Sequence, residues 1–206
     1  MKIRHKTTQT LLRYFTWVRG RDTAPLRSAI DPSQLKTELP DIFILEKGMD
    51  GHVRFRLAGT RVCQVLGQEV RGEEFLRFWR TRDLHKMKLS FDTILATRVP
   101  MLVDVRGISD QVSAADYEML LLPLRSTPSV CDRIIGSLSA VSAVRSPYSL
   151  GRRLEATAIT ILHDAVPEAE ELDDLEDDSF YIDKPMTRPF GHRPTHLRLL
   201  QGGRQD

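Results

Sequence analysis

The chain is poor in the features that would mark several functional classes. Only two cysteines, Cys63 and Cys131, occur in 206 residues, and neither sits in a Cys-x-x-Cys spacing. That excludes a disulfide framework and fits a reducing compartment. The densest apolar stretch, Met119–Leu124, has the length of a strand and falls well short of the roughly 20 residues that span a bilayer. The opening Met1-Lys2-Ile3-Arg4-His5-Lys6 lacks the apolar core of a secretion signal, so a cytoplasmic protein without membrane insertion is expected. Neither sign of charge is in excess: 30 Lys and Arg face 28 Asp and Glu, leaving +2 and pointing to no polyanionic partner. Gly-x-Ser-x-Gly, His-Glu-x-x-His and the Gly-x-x-x-x-Gly-Lys phosphate loop are all missing.

What is present is enough apolar residue for one core, 41% of the chain, with charge unevenly spread. Met1–Arg27 holds seven Lys or Arg against one acid, Asp22; Ala165–Asp183 holds nine acids and no base; Lys184–Gln205 is basic again. The length suits one domain with tails. We expect a helix and connector over 1–30, a domain over 31–146, and a largely disordered extension over 147–206.

Thr7–Arg19 has helical spacing, with Leu11, Phe15 and Val18 at i, i+4 and i+7. Asp31-Pro32 is a helix start, a capping carboxylate before a proline at the first helical position. Ile42–Leu45 reads as a strand, Asp50-Gly51 as a hairpin turn, and His52–Ala58 as the returning strand. In that strand Val53, Phe55 and Leu57 alternate with Arg54 and Arg56. Helical spacing resumes over Gly59–Leu66, and Asp83 is placed to cap a longer helix with Leu84, Met87, Phe91, Ile94 and Leu95 as its stripe. Val99–Arg106, Ala115–Leu124 and Arg133–Val144 read as three further strands; in the second, Tyr117 and Met119 oppose Glu118, Leu120 and Leu122. Thr157–Leu162 is strand or helix, undecided by periodicity. Hairpins at both ends with helices between them indicate an α+β layer, a five-stranded antiparallel sheet with its helices on one face.

That order is the PAS order, and particular stretches carry a closer likeness. Arg4–Thr8, Ile30-Asp31-Pro32, Leu39–Glu46, Phe55–Cys63, Gly67–Gly72, Glu118–Leu124 and Arg133–Gly136 resemble a family of small bacterial proteins built on one PAS-like domain. The resemblance covers about Arg4–Val144 and implies a five-stranded sheet, a helical face over a ligand pocket, and a sensory or regulatory role. It brings no ligand or reaction with it.

The pocket this implies would be lined by Phe55, Leu57, Met87, Phe91, Met119 and Leu121, with Arg61, Trp79, Tyr117 and Glu118 as polar handles. PAS haem sensors take their histidine from the helix that here carries His85; it stands off the apolar stripe beside Lys86 and Lys88, so a solvent-facing histidine is preferred. Light-sensing relatives use an Asn-Cys-Arg motif, and this chain has no asparagine, so Cys63 reads as a small buried residue. Arg71-Gly72-Glu73-Glu74-Phe75 is one glycine short of a cyclase signature and reads as acids at a helix start. His192 and His196 form a weak metal pair, and Leu197, Leu199 and Leu200 a weak docking motif. No cofactor or metal is assigned.

The leading expectation is a non-enzymatic regulatory protein that acts through a homodimer or a signalling partner, with a small ligand as a second input. The partner surface would comprise Leu11, Phe15 and Val18 of the first helix with Arg54 and Arg56 of the sheet's outer face. Two alternatives are carried: an enzyme using Glu118 or Asp104 as base, and a nucleic-acid binder stacking bases on Tyr14 and Trp17 among N-terminal cations. The amphipathic stripe argues against the second, since it has to bury Leu11 and Phe15.

Overall fold

A computed structural model of the chain describes residues 3–108, 115–141 and 153–163. The acidic and basic C-terminal runs, the His192/His196 pair and the Leu197–Leu200 motif lie outside the described residues. The elements in order are α1 (Lys6–Arg19), β1 (Ile42–Lys47), β2 (Val53–Ala58), α2 (Thr60–Leu66), α3 (Leu84–Thr97), β3 (Met101–Ile108), β4 (Ala115–Arg125), β5 (Cys131–Ala140) and β6 (Arg153–Ile161), with short 3-10 turns between them. No helix among the described residues is long and apolar enough to cross a membrane.

The sheet is antiparallel, in the order β2-β1-β5-β4-β3-β6. It has six strands where five were expected. The sixth begins inside the stretch read as an extension and pairs along β3, so the sheet outruns the 31–146 boundary. Thr157 is an extra residue opposite the Asp104–Val105 step, a bulge at the start of the segment left open as strand or helix, which is strand.

The β1–β2 hairpin forms as its sequence predicts. Gly51, at φ +79°, takes the left-handed conformation of the turn, and the Gly48 N–H donates to the His52 carbonyl at 2.8 Å. The turn opening at Pro32 is 3-10, and Asp31 caps it by accepting from the Ser33 N–H at 2.9 Å. Asp83 does not cap α3 with its side chain, contrary to expectation. Its buried carboxylate instead accepts from the Ala156 N–H at 3.3 Å and from Lys86 at 3.1 Å, fastening α3 to β6.

Each face of the sheet is covered by a different layer. On the inner face Phe43, Leu45, Phe55, Val103, Tyr117, Met119 and Ile134 pack against α2 and α3. On the outer face Ile42, Ile44, Leu102, Leu120, Leu122 and Ile135 pack against Leu11, Tyr14 and Phe15 of α1. β5 is central, and Gly136 is required there: a Cβ would stand 2.4 Å from the Phe43 ring and 2.6 Å from the Leu120 carbonyl.

Candidate functional site

The inner face is where the sequence placed a pocket, and it is filled by aromatic rings. Phe55 meets Phe43, Phe75 and Phe78 edge-on at 5.8, 5.8 and 5.9 Å, and Phe75 meets Trp79 at 5.6 Å and Phe91 at 6.4 Å. Such spacings are those of favourable ring pairs in packed cores. Met87, Tyr117, Met119 and Leu121 are buried in the same cluster. Trp79 is a core residue, and its Nε1–H has no hydrogen-bond partner among the described residues.

Three residues named for that pocket point elsewhere. Arg56 is an extra residue between the Leu45–Phe55 and Ile44–Leu57 pairs, and this bulge turns Leu57 to the outer face, where it is 43% exposed. Arg61 pairs with the buried Asp41 at 2.9 Å, and Asp41 also accepts from Thr7 of α1 at 3.3 Å, so this pair joins α2 to α1. Glu118 is on the outer face and wholly buried beneath the start of α1.

Glu118 is a bonded and fully buried carboxylate of the outer layer. Its oxygens accept the Arg4 N–H at 2.8 Å and the His5 N–H at 3.1 Å, with the Arg4 guanidinium 3.7 Å away. Arg4 reaches on to Asp104, the cross-strand neighbour of Glu118. His5 then caps α1, its Nδ1 accepting from the Thr7 N–H at 3.1 Å. The helix is thereby fixed to β4 at its N-terminus, and further along the Tyr14 hydroxyl accepts from the Asp31 N–H at 2.7 Å. Burial raises the Tyr14 phenol above its ordinary value. Thr8, Ser137 and Ser139 are buried in this layer with hydroxyls that have no hydrogen-bond partner among the described residues.

The surface residues expected to meet a partner do not form one patch. Leu11 and Phe15 are buried on β4 and β5, and Val18 is half-buried at the helix's far end. Arg54 and Arg56 lie on the edge strand β2, held by Asp50 at 2.6 Å and by Glu46 at 2.9 Å. Arg54 draws the Asp50 carboxyl down to about 2, and Arg56 likewise lowers Glu46. What α1 offers to solvent is Trp17, 47% exposed, with Lys6 and Arg13 exposed on the same helix. His85 is exposed on α3. Burial pushes both the Cys63 and the Cys131 thiols up, away from the reactive thiolate.

One concave feature was not foreseen. A cleft of about 180 Å³ opens between the β1–β2 hairpin, the turn at Phe75 and α3. Val53, Phe75 and Phe91 lie at its base, and Asp50, His52, Glu74, Lys88 and Asp92 ring it. Asp92 is paired with Lys47 at 2.6 Å, and Glu74 meets the His52 Nδ1 at 2.9 Å. These walls come from three distant segments, and the only sequence signal was the charge density around the Asp50-Gly51 turn. No group of His, Cys, Asp or Glu suited to a metal ion occurs among the described residues.

A family model described as a PAS domain matches residues 3–139. No curated protein matches the chain. Similar solved structures include the Rhodobacter sphaeroides LOV protein, at 14% identity and TM-score 0.42, covering 58% of this chain and 73% of that one. The d2 variant of RsLOV follows at 14% identity and TM-score 0.41, covering 57% and 72%. An RNA-binding light-oxygen-voltage receptor is similar at 17% identity and TM-score 0.38, covering 52% of this chain and 31% of that receptor.

Proposed function

This chain belongs to the PAS domain family, and from that premise we propose that it is a non-enzymatic sensory or regulatory module that docks a protein partner on the solvent face of α1. The observation that carries this reading is Trp17, an exposed tryptophan on a helix whose other side is already occupied by its own sheet. A large exposed aromatic beside a cation is the composition of an interface anchor.

Charge narrows the partner. α1 holds Lys6, Arg13 and Arg19 and no acid, and none of the three makes an ion pair among the described residues. A second copy meeting α1 against α1 would set like charges together, whereas an acidic surface is complementary. A partner with an acidic face is therefore favoured over the homodimer.

The alternatives have less support. Glu118 is covered and saturated by backbone N–H donors, and Asp104 is engaged by Arg4, so neither is disposed as a base for a substrate. For nucleic acid, Tyr14 is buried and Arg4 is committed to carboxylates, which removes one stacking ring and one cation from the basic N-terminus.

A benzophenone amino acid in place of Trp17, photolysed in the native host, tests the reading. We expect an adduct with one acidic-surfaced protein, suppressed by Arg13→Glu. An adduct only with itself, together with a dimer in analytical ultracentrifugation, would transfer the surface to homodimerisation. If Trp17 yields no adduct and the protein does not self-associate, the reading fails.

A further inference from the structure

We propose that the cleft between the β1–β2 hairpin and α3 binds a small apolar amino acid as its zwitterion. It lies on the helical layer, across the sheet from α1, and stands independently of the partner reading.

Size comes first. Drug-sized ligands and cofactors occupy pockets of about 300–1,000 Å³, and this cleft, at about 180 Å³, is below that range. It excludes a flavin or a haem and leaves room for a small metabolite. The apolar lining is Val53 and Leu76, with the buried rings of Phe75 and Phe91, 6.4 Å apart at 45°, behind them. A short aliphatic or aromatic side chain would lose water against it.

The rim then selects the head group. Asp50 is neutralised by Arg54 and Asp92 by Lys47. Lys88 is exposed at the rim and makes no ion pair among the described residues. Glu74 meets His52, and the Arg54 guanidinium already bound to Asp50 also acts on it electrostatically. The rim therefore presents one unpaired ammonium, Lys88, and two carboxylates, Asp50 and Glu74, that share one guanidinium, so one negative charge has no cation of its own. A simple carboxylic acid would satisfy Lys88 while facing Glu74, and a simple amine would do the reverse. An α-amino acid answers both charges and turns its side chain to the apolar lining.

Isothermal titration of the full chain with L-leucine and L-phenylalanine tests this, using 4-methylpentanoate, isopentylamine, 3-phenylpropanoate and 2-phenylethylamine as analogues that lack one charge. We expect the amino acids to bind and each analogue to be weaker by about tenfold or more, the loss of one charge-assisted contact. Lys88→Met and Glu74→Gln should each weaken amino-acid binding by a similar factor while leaving the unliganded melting temperature in place. Absence of heat with every amino acid at millimolar concentration would overturn the proposal. So would equal binding of the deaminated acid, or a Lys88→Met variant that binds normally.

Discussion

The two faces of the sheet are built by different means. On the inner face, rings from β1, β2, α3 and the turn between α2 and α3 touch one another, and the aliphatic residues of β3 and β4 fill in behind them. On the outer face, a single helix packs its apolar stripe and is tied down by the buried carboxylates Glu118 and Asp41, with two hydroxyls beneath it, Ser137 and Ser139, unpartnered among the described residues. A ring-packed layer gains stability from every contact and has no alternative arrangement of similar energy. A layer tied through a few polar anchors opens when an anchor is lost, because each anchor carries much of the attachment. Both layers also bury apolar side chains, Leu11 and Phe15 of α1 among them, so the expected difference is that α1, on the side where a partner is proposed to dock, depends more on its polar anchors than the inner layer does.

The comparison is broken most directly from the inner side. Phe55→Ala removes a ring that contacts three others and should cost about 3–5 kcal/mol in urea-induced unfolding. The loss should be global, with all strands losing amide protection together. A loss below about 1 kcal/mol would mean that the rings do not form a close-packed unit.

Next comes the outer anchor. Glu118→Ala leaves the Arg4 and His5 N–H groups without their acceptor and should cost about 1–3 kcal/mol. Unlike Phe55→Ala, it should act locally: amide exchange should quicken across α1 while β1, β3 and β5 keep their protection. Glu118→Gln, which retains one acceptor oxygen, should recover part of the loss. Uniform loss of protection would dissolve the distinction between the two layers.

Much of this contrast was readable in the sequence. Alternation in β4 put Glu118 on the side opposite Tyr117 and Met119, so its assignment to the pocket conflicted with its own strand. The conflict was visible; its resolution needed the path of Arg4 and His5, which no pattern supplies. The α1 stripe was legible because Leu11 and Phe15 recur at helical spacing, and the hairpin because Asp50-Gly51 sets its turn. The bulge at Arg56 was not legible: Val53-Arg54-Phe55-Arg56-Leu57 alternates perfectly in sequence, and an inserted residue changes the facing without changing the pattern. The cleft was hidden for another reason, since Lys88, Glu74 and His52 are brought together only by tertiary structure.

A smaller effect separates the edge of the outer face from its middle. The Arg56 guanidinium, helped by Arg133, holds the folded Glu46 carboxyl below its ordinary 4.5. A depressed folded value means that this pair adds stability at pH above 4.5 and loses it as pH falls through the lower folded value. The stability gap between the wild type and Glu46→Gln should accordingly be full at neutral pH and close on acidification. Because the Arg56 side chain is largely exposed, raising the salt concentration should narrow the same gap. A gap that ignores both acid and salt would assign Glu46 a packing role instead.

The smallest expected effect is the most informative about how α1 is held. Ser137 lies in the centre of the outer face, paired with Ile42 on one side and Leu120 on the other, and its hydroxyl is buried without a hydrogen-bond partner among the described residues. Burying such a group without a bond costs free energy, so removing it while keeping the Cβ should be harmless or favourable. Ser137→Ala should leave stability within about 0.5 kcal/mol of the wild type or raise it, and should slow amide exchange in α1. That direction matters because it is opposite to Glu118→Ala in the same layer. If both substitutions loosen α1, the hydroxyl is an anchor like the carboxylate. If Ser137→Ala tightens it, the layer is held by its N-terminal clamp and its apolar contacts in spite of an unsatisfied hydroxyl, and a partner reaching Trp17 would act on a helix whose hold can still be strengthened.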